Sequence, residues 1–96
     1  MIDATQSEIW RRIHVSVLAY AYEIDDAPLA TDDAYDHWAR SIRPEISTGR
    51  PDLDDFFRTE FTPHTGQWVR RHPEIRKLRV LTECIRTGNF SNRHKK

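Results

Sequence analysis

Residues 20–36 read Tyr20-Ala21-Tyr22-Glu23-Ile24-Asp25-Asp26-Ala27-Pro28-Leu29-Ala30-Thr31-Asp32-Asp33-Ala34-Tyr35-Asp36. Pro28 disfavours helical geometry at Ala27, so a helix arriving through the tyrosines must end before it. Thr31 is a suitable N-cap for a second helix, and Asp32 and Asp33 put negative charge at its N-terminus, where the backbone dipole favours it. The stretch is therefore a helix–turn–helix corner, crowded with aromatic and acidic groups.

Upstream, Thr5-Gln6-Ser7-Glu8 fits a capping box. From there Ile9, Ile13, Val17, Tyr20 and Ile24 recur every three or four residues, and Trp10, Leu18 and Ala21 widen the stripe. An amphipathic helix over about residues 5–24 follows, with Arg11, Arg12, His14 and Glu23 away from the stripe's centre. Downstream, Tyr35, Trp38, Ala39 and Ile42 form a second stripe that Arg43-Pro44 stops at about residue 43. Residues 44–50 read as a loop.

Pro51 suits the first position of a short third helix, with Asp52, Asp54 and Asp55 in its opening turn and Leu53, Phe56, Phe57 and Phe61 on its buried face. Thr62-Pro63-His64-Thr65-Gly66 breaks it, and Gln67–His72 has room for one helical turn. A last helix is expected over 73–87, with Ile75, Leu78, Leu81 and Ile85 on its apolar face and Gly88 as its C-cap. No alternating strand pattern occurs. The expected fold is all-α: one domain over residues 1–88 with four helices, an N-terminal hairpin over 5–43, and a basic, flexible tail over 89–96.

The 96 residues carry fifteen acids and fifteen bases, but not evenly. Residues 1–64 hold six arginines, no lysine and thirteen carboxylates, a balance of −7; residues 65–96 hold nine bases against Glu74 and Glu83, a balance of +7. Either the two halves pack together and partly neutralise, or a basic surface awaits nucleic acid or an acidic protein. The lone Cys84 cannot form an internal disulfide, no apolar run approaches the roughly 18 residues of a membrane span, and no secretory signal pattern is evident. The expectation is a soluble, cytoplasmic protein without membrane partners.

Tyr20-x-Tyr22-x-x-x-Asp26-x-Pro28, followed by Asp32-x-x-Tyr35-Asp36, resembles the N-terminal Ia domain of bacterial NAD-dependent DNA ligases, which carries these residues on the same helix–turn–helix. The resemblance covers about residues 8–43 with no insertion. Where the ligases have histidine after the second tyrosine, this chain has Glu23, and Ala30 and Thr31 also differ. In the ligases this domain binds the nicotinamide mononucleotide (NMN) half of NAD. The resemblance thus implies nicotinamide-nucleotide contacts for Tyr22, Asp32, Tyr35 and Asp36, with Glu23 at the substituted position. Tyrosines can stack on a cationic pyridinium, and carboxylates can accept from ribose hydroxyls or the carboxamide. The chain lacks a nucleotidyltransferase domain and a Lys-x-Asp-Gly motif, its first lysine being Lys77, so it is no ligase by itself and no catalytic residue is expected.

Other chemistries find little support. His14, His37, His64, His72 and His94 are scattered without zinc-ligand spacing, so no metal is expected. The cluster from Phe56 to Trp68 reads as a small aromatic core or, alternatively, as an exposed anchor for a protein partner. Arg70, Arg71, Arg76, Lys77 and Arg79 could track phosphates or meet an acidic partner, but no recognition-helix pattern accompanies them. Three readings stay open: a non-catalytic module that binds NMN, NAD or an NAD-linked partner; a phage or mobile-element interaction factor that docks on a host complex; and a nucleic-acid-binding accessory protein.

Overall fold

The computed structural model describes residues 3–88. They form α1 (Ala4–Glu23), α2 (Asp32–Arg40), α3 (Pro51–Thr59), a 3-10 helix (Gln67–Arg71) and α4 (Ile75–Thr87), with no strand among the described residues. The all-α, four-helix expectation holds. The basic tail from residue 89 lies outside the described residues.

Helix α1 is the axis of the molecule: α2, the 3-10 helix and α4 all pack against it. Every residue from Val15 to Ala21 is buried, so this part of α1 is enclosed on all sides. Ala19 and Ala21 keep the helix surface low enough for that enclosure. Around them close Ala39 and Ile42, Phe56 and Phe57 of α3, Trp68 and Val69 of the 3-10 helix, and Leu78 of α4. The aromatic cluster read from Phe56 to Trp68 is core: Phe56, Phe57 and Trp68 are buried, with ring centroids 5.4 to 6.0 Å apart.

Several local expectations need correction. The N-cap of α1 is Asp3, whose carboxylate accepts from the Gln6 amide at 2.8 Å, rather than Thr5. Glu8 is then free of capping and is completely buried. Thr31 does cap α2, accepting from the Ala34 amide, but that helix ends at Arg40 rather than 43. α4 begins at Ile75, two residues later than expected, and ends on Gly88 at φ +73°, the left-handed geometry that glycine adopts freely. Trp10 and Ile13, placed on the apolar stripe of α1, are exposed, as is Ile85 on α4.

The largest correction concerns charge. Arg12 is buried between Glu8 and Asp54, which its guanidinium reaches at 2.7 Å each. Its Nη2 donates to the carbonyls of Arg43 and Ile46, and its plane lies 5.2 Å above the Phe57 ring. Glu8 also accepts from the Arg43 amide at 3.0 Å and from Arg11. Asp54 accepts from the Thr48 amide and hydroxyl. Burial pushes the Asp54 carboxyl upward, but the Thr48 and Arg12 hydrogen bonds outweigh it and hold the group below its usual range. This network ties α1, the 43–48 loop and α3 together, and it stabilises the fold only while every partner is present.

Candidate functional site

Helix α1 leaves the core at Tyr22 and Glu23 and ends through a tight reversal. The Ile24 and Asp25 amides both donate to the Tyr20 carbonyl, the Ala27 amide donates to the Ala21 carbonyl, and Asp26 takes φ +55°. Asp is among the few residues other than Gly that tolerate this geometry. The reversal turns Pro28 and Ala30 back across the end of α1 and starts α2 beside it.

An open cavity of about 590 Å³ lies between these two helix ends and the segment from Pro63 to Gln67. Tyr22, Glu23, Asp32, Tyr35 and Asp36, the five residues singled out from the sequence, all line it, together with Asp33. Its inner wall is Leu18 and Ala19, against which the backbone of Gly66 is pressed. A Cβ at Gly66 would stand 3.2 Å from Glu23 Cγ and 3.4 Å from Ala19 Cβ, so any larger residue there would force its neighbours outward.

The five residues differ in freedom. Tyr22 is 53% exposed, with its ring available to a ligand. Asp32 is exposed, and Asp36 is held at 2.8 Å by Arg40 one turn along α2. Tyr35 is half-buried: its hydroxyl donates to the Thr65 carbonyl and accepts from Trp68 Nε1, each at 3.2 Å. Burial raises the Tyr35 pKa, the Trp68 hydrogen bond opposes this, and the nearby charge of Glu23 raises it further, so the phenol stays protonated. Tyr35 therefore fastens the 62–67 segment to α2 as well as lining the cavity. The Glu23 side chain is mostly covered, with Arg70 3.7 Å from its carboxylate and donating to its backbone carbonyl at 2.8 Å.

The cavity is acidic. Glu23, Asp32, Asp33 and Asp36 line it and no lysine or arginine does, which favours a cationic or hydrogen-bond-donating group. The sequence offered no means of finding its third wall, Pro63 to Gln67. A proline followed shortly by a glycine marks a bend there, but nothing local says which helix end the bend faces.

The basic residues of the second half do not form one free surface. Arg70 is tied to Glu23, Arg71 to Glu60 at 3.1 Å and Lys77 to Glu74 at 3.5 Å. Arg86 reaches Asp25 at 3.1 Å and the Ala27 carbonyl at 2.9 Å. The acidic and basic halves thus neutralise one another in part. Arg76 and Arg79 are exposed and have no ion-pair or hydrogen-bond partner among the described residues.

Among the described residues no group of three or more His, Cys, Asp or Glu side chains is placed to hold a metal ion, and no helix is long and apolar enough to cross a membrane. Cys84 is a free thiol, part-buried in α4. Comparison with family models, with curated proteins and with solved structures gives no match in any of the three.

Proposed function

We propose that this chain is a non-catalytic helical module that binds a nicotinamide nucleotide, NMN or the NMN half of NAD, in the acidic cavity between α1 and α2. The observation that carries the reading is convergence. Four residues that the resemblance to the Ia domain of NAD-dependent DNA ligases implies as contacts, with Glu23 at the substituted position, line a single open cavity, although α1 and α2 contribute them from opposite sides of a turn. The volume suits a mononucleotide. The exposed Tyr22 ring can stack on the pyridinium, whose positive charge four carboxylates attract. Asp32 and Asp36 can accept hydrogen bonds from the ribose hydroxyls. The phosphate, repelled by those carboxylates, can be met by Arg70 and Arg40, which pair with Glu23 and Asp36 of the lining.

Calorimetric titration with NMN and NAD tests this reading. Tyr22→Ala and Asp32→Asn, both at exposed positions, are expected to weaken binding about tenfold each while leaving the fold intact. Absence of heat at millimolar NMN, or an unchanged isotherm for the double variant, refutes it.

One observation favours a second reading. A cavity lined by four carboxylates and an exposed tyrosine also suits a lysine or arginine side chain of a protein partner, as an interaction factor of phage or mobile-element type would use. Capture of a basic peptide by the wild-type chain, lost in Asp32→Asn, together with silence toward NMN, would favour it. Of the second-half bases that the nucleic-acid reading drew on, Arg70, Arg71 and Lys77 are paired, whereas Arg76 and Arg79 have no ion-pair partner among the described residues.

A further inference from the structure

Residues 89–96, which lie outside the described residues, read Asn89-Phe90-Ser91-Asn92-Arg93-His94-Lys95-Lys96 and carry three fixed positive charges and no carboxylate side chain. The fold delivers them to a particular place. Arg86, in the last turn of α4, pairs with Asp25 at 3.1 Å and donates to the Ala27 carbonyl at 2.9 Å, which pins that turn to the corner between α1 and α2. Pro28, the next residue, lines the acidic cavity. Gly88, at φ +73°, turns the chain out of the helix two residues after Arg86. At about 3.3 Å per extended residue, Arg93 can stand about 16 Å from Gly88 and Lys96 about 26 Å, far enough to pass the corner and enter the cavity.

Charge decides which concave surface such a segment suits. A second cleft, of about 310 Å³ between α1, α3 and α4, has mainly hydrocarbon walls, but Arg50 and Lys77 stand at its edge and share Glu74. The first cavity is lined by four carboxylates. Two of them are engaged, Glu23 by Arg70 and Asp36 by Arg40, whereas Asp32 and Asp33 are exposed and have no ion pair among the described residues. Across the same cavity the Tyr22 ring, 53% exposed, offers a face to a guanidinium. We propose that residues 89–96 dock in the acidic cavity, with Arg93, Lys95 and Lys96 against Asp32 and Asp33, and so act as a built-in competitor that a cationic ligand must displace. Exposed ion pairs are individually weak, but so short a tether holds the segment at about millimolar effective concentration, which populates a weak contact. The docking stands by itself; its competition with NMN rests on the nucleotide reading.

A nitroxide attached at Asn92→Cys, in the full chain with Cys84→Ser, reports the contact as broadening of amide signals by NMR at low ionic strength. Broadening is expected at Tyr22, Asp32 and Asp33, well above that at Leu53 and Leu78 in the second cleft. It should disappear in about 1 M salt, where charges are screened beyond about 3 Å. It should also disappear in Arg93→Gln/Lys95→Gln/Lys96→Gln and, from the cavity side, in Asp32→Asn/Asp33→Asn. Broadening at Asp25 and Ala27, beside the end of α4, should persist throughout. Without the nitroxide, the chain with the three glutamines should bind NMN about threefold more tightly than the wild type, because its cavity is no longer occupied part of the time. Cavity broadening that survives salt and both sets of substitutions, or broadening centred on Leu53 and Leu78, would overturn the docking. Equal NMN affinity in the two chains would overturn the competition. Silence of both toward NMN would refute the nucleotide reading alone, since the broadening needs no ligand.

Discussion

At the scale of single residues, Glu23 and Arg12 carry the most information. Glu23 occupies the position where the similar ligases have a histidine, and its carboxylate is mostly covered beneath Gly66 and Arg70. Replacing it with a ring that can stack is expected to favour a nicotinamide ligand. Glu23→His should tighten NMN binding by about fivefold in the calorimetric titration. Arg12 is decisive for folding rather than for the site. Arg12→Met leaves Asp54 buried without a cation and Glu8 with Arg11 alone, at a cost of about 3–5 kcal/mol. That is comparable with the whole stability of a domain this small, so urea denaturation should find the variant unfolded or nearly so. Tyr35 lies between these cases, since its hydroxyl holds Thr65 and Trp68. Its removal would confuse lost binding with lost structure, and for that reason Tyr22 and Asp32 are the better probes of the cavity.

At the scale of elements, the reading from sequence succeeded where the signal is local. The proline after α1, the Thr31 cap of α2, Pro51 opening α3 and the glycine closing α4 each act within one turn of the residue concerned. Each therefore appears in the sequence as it does in the fold. The exceptions are the end of α2 (three residues before Arg43), the start of α4 (two residues after Pro73) and the start of α1. Thr5 and Glu8 have capping-box spacing, but Asp3 takes the amide first and Glu8 is drawn into the core by Arg12. Asp3→Ala should therefore lower stability by about 1 kcal/mol in urea denaturation, whereas Thr5→Ala should change it little. The 62–67 segment depends on close approach instead. Gly66→Ala should cost about 1 kcal/mol and displace Glu23 toward the cavity, readable as shifts at Glu23 and Tyr22 by NMR.

At the scale of the whole molecule, burial of ionisable groups makes stability depend on pH. Burial of the His72 ring lowers its pKa to about 4, although Glu74 and Asp52 oppose the shift, and burial also lowers that of His14. The unfolded chain takes up protons at these positions near pH 6.5, where folded His72 does not. Stability is then constant above about pH 6.5 and falls as the pH drops toward 4, by about 2 kcal/mol once solvent screening is allowed for. Asp54, held below its usual range, extends the loss to lower pH as it protonates. Urea midpoints at pH 7.5, 5.5 and 4.5 should decline in that order, and His72→Gln should flatten the decline over the upper part of the range. The sequence by itself determined the helical class and the corner at Pro28, because caps, turns and apolar spacing act over three or four residues; the five residues lining the first cavity came from the resemblance to the ligase Ia domain. Only the tertiary structure decided what closes that cavity and what sits in the core. The Tyr35–Thr65 bond joins residues 30 apart, and the Arg12–Asp54 pair joins residues 42 apart. A charged residue off the stripe of an isolated helix reads as solvated; it becomes core only when another segment brings the opposite charge to it.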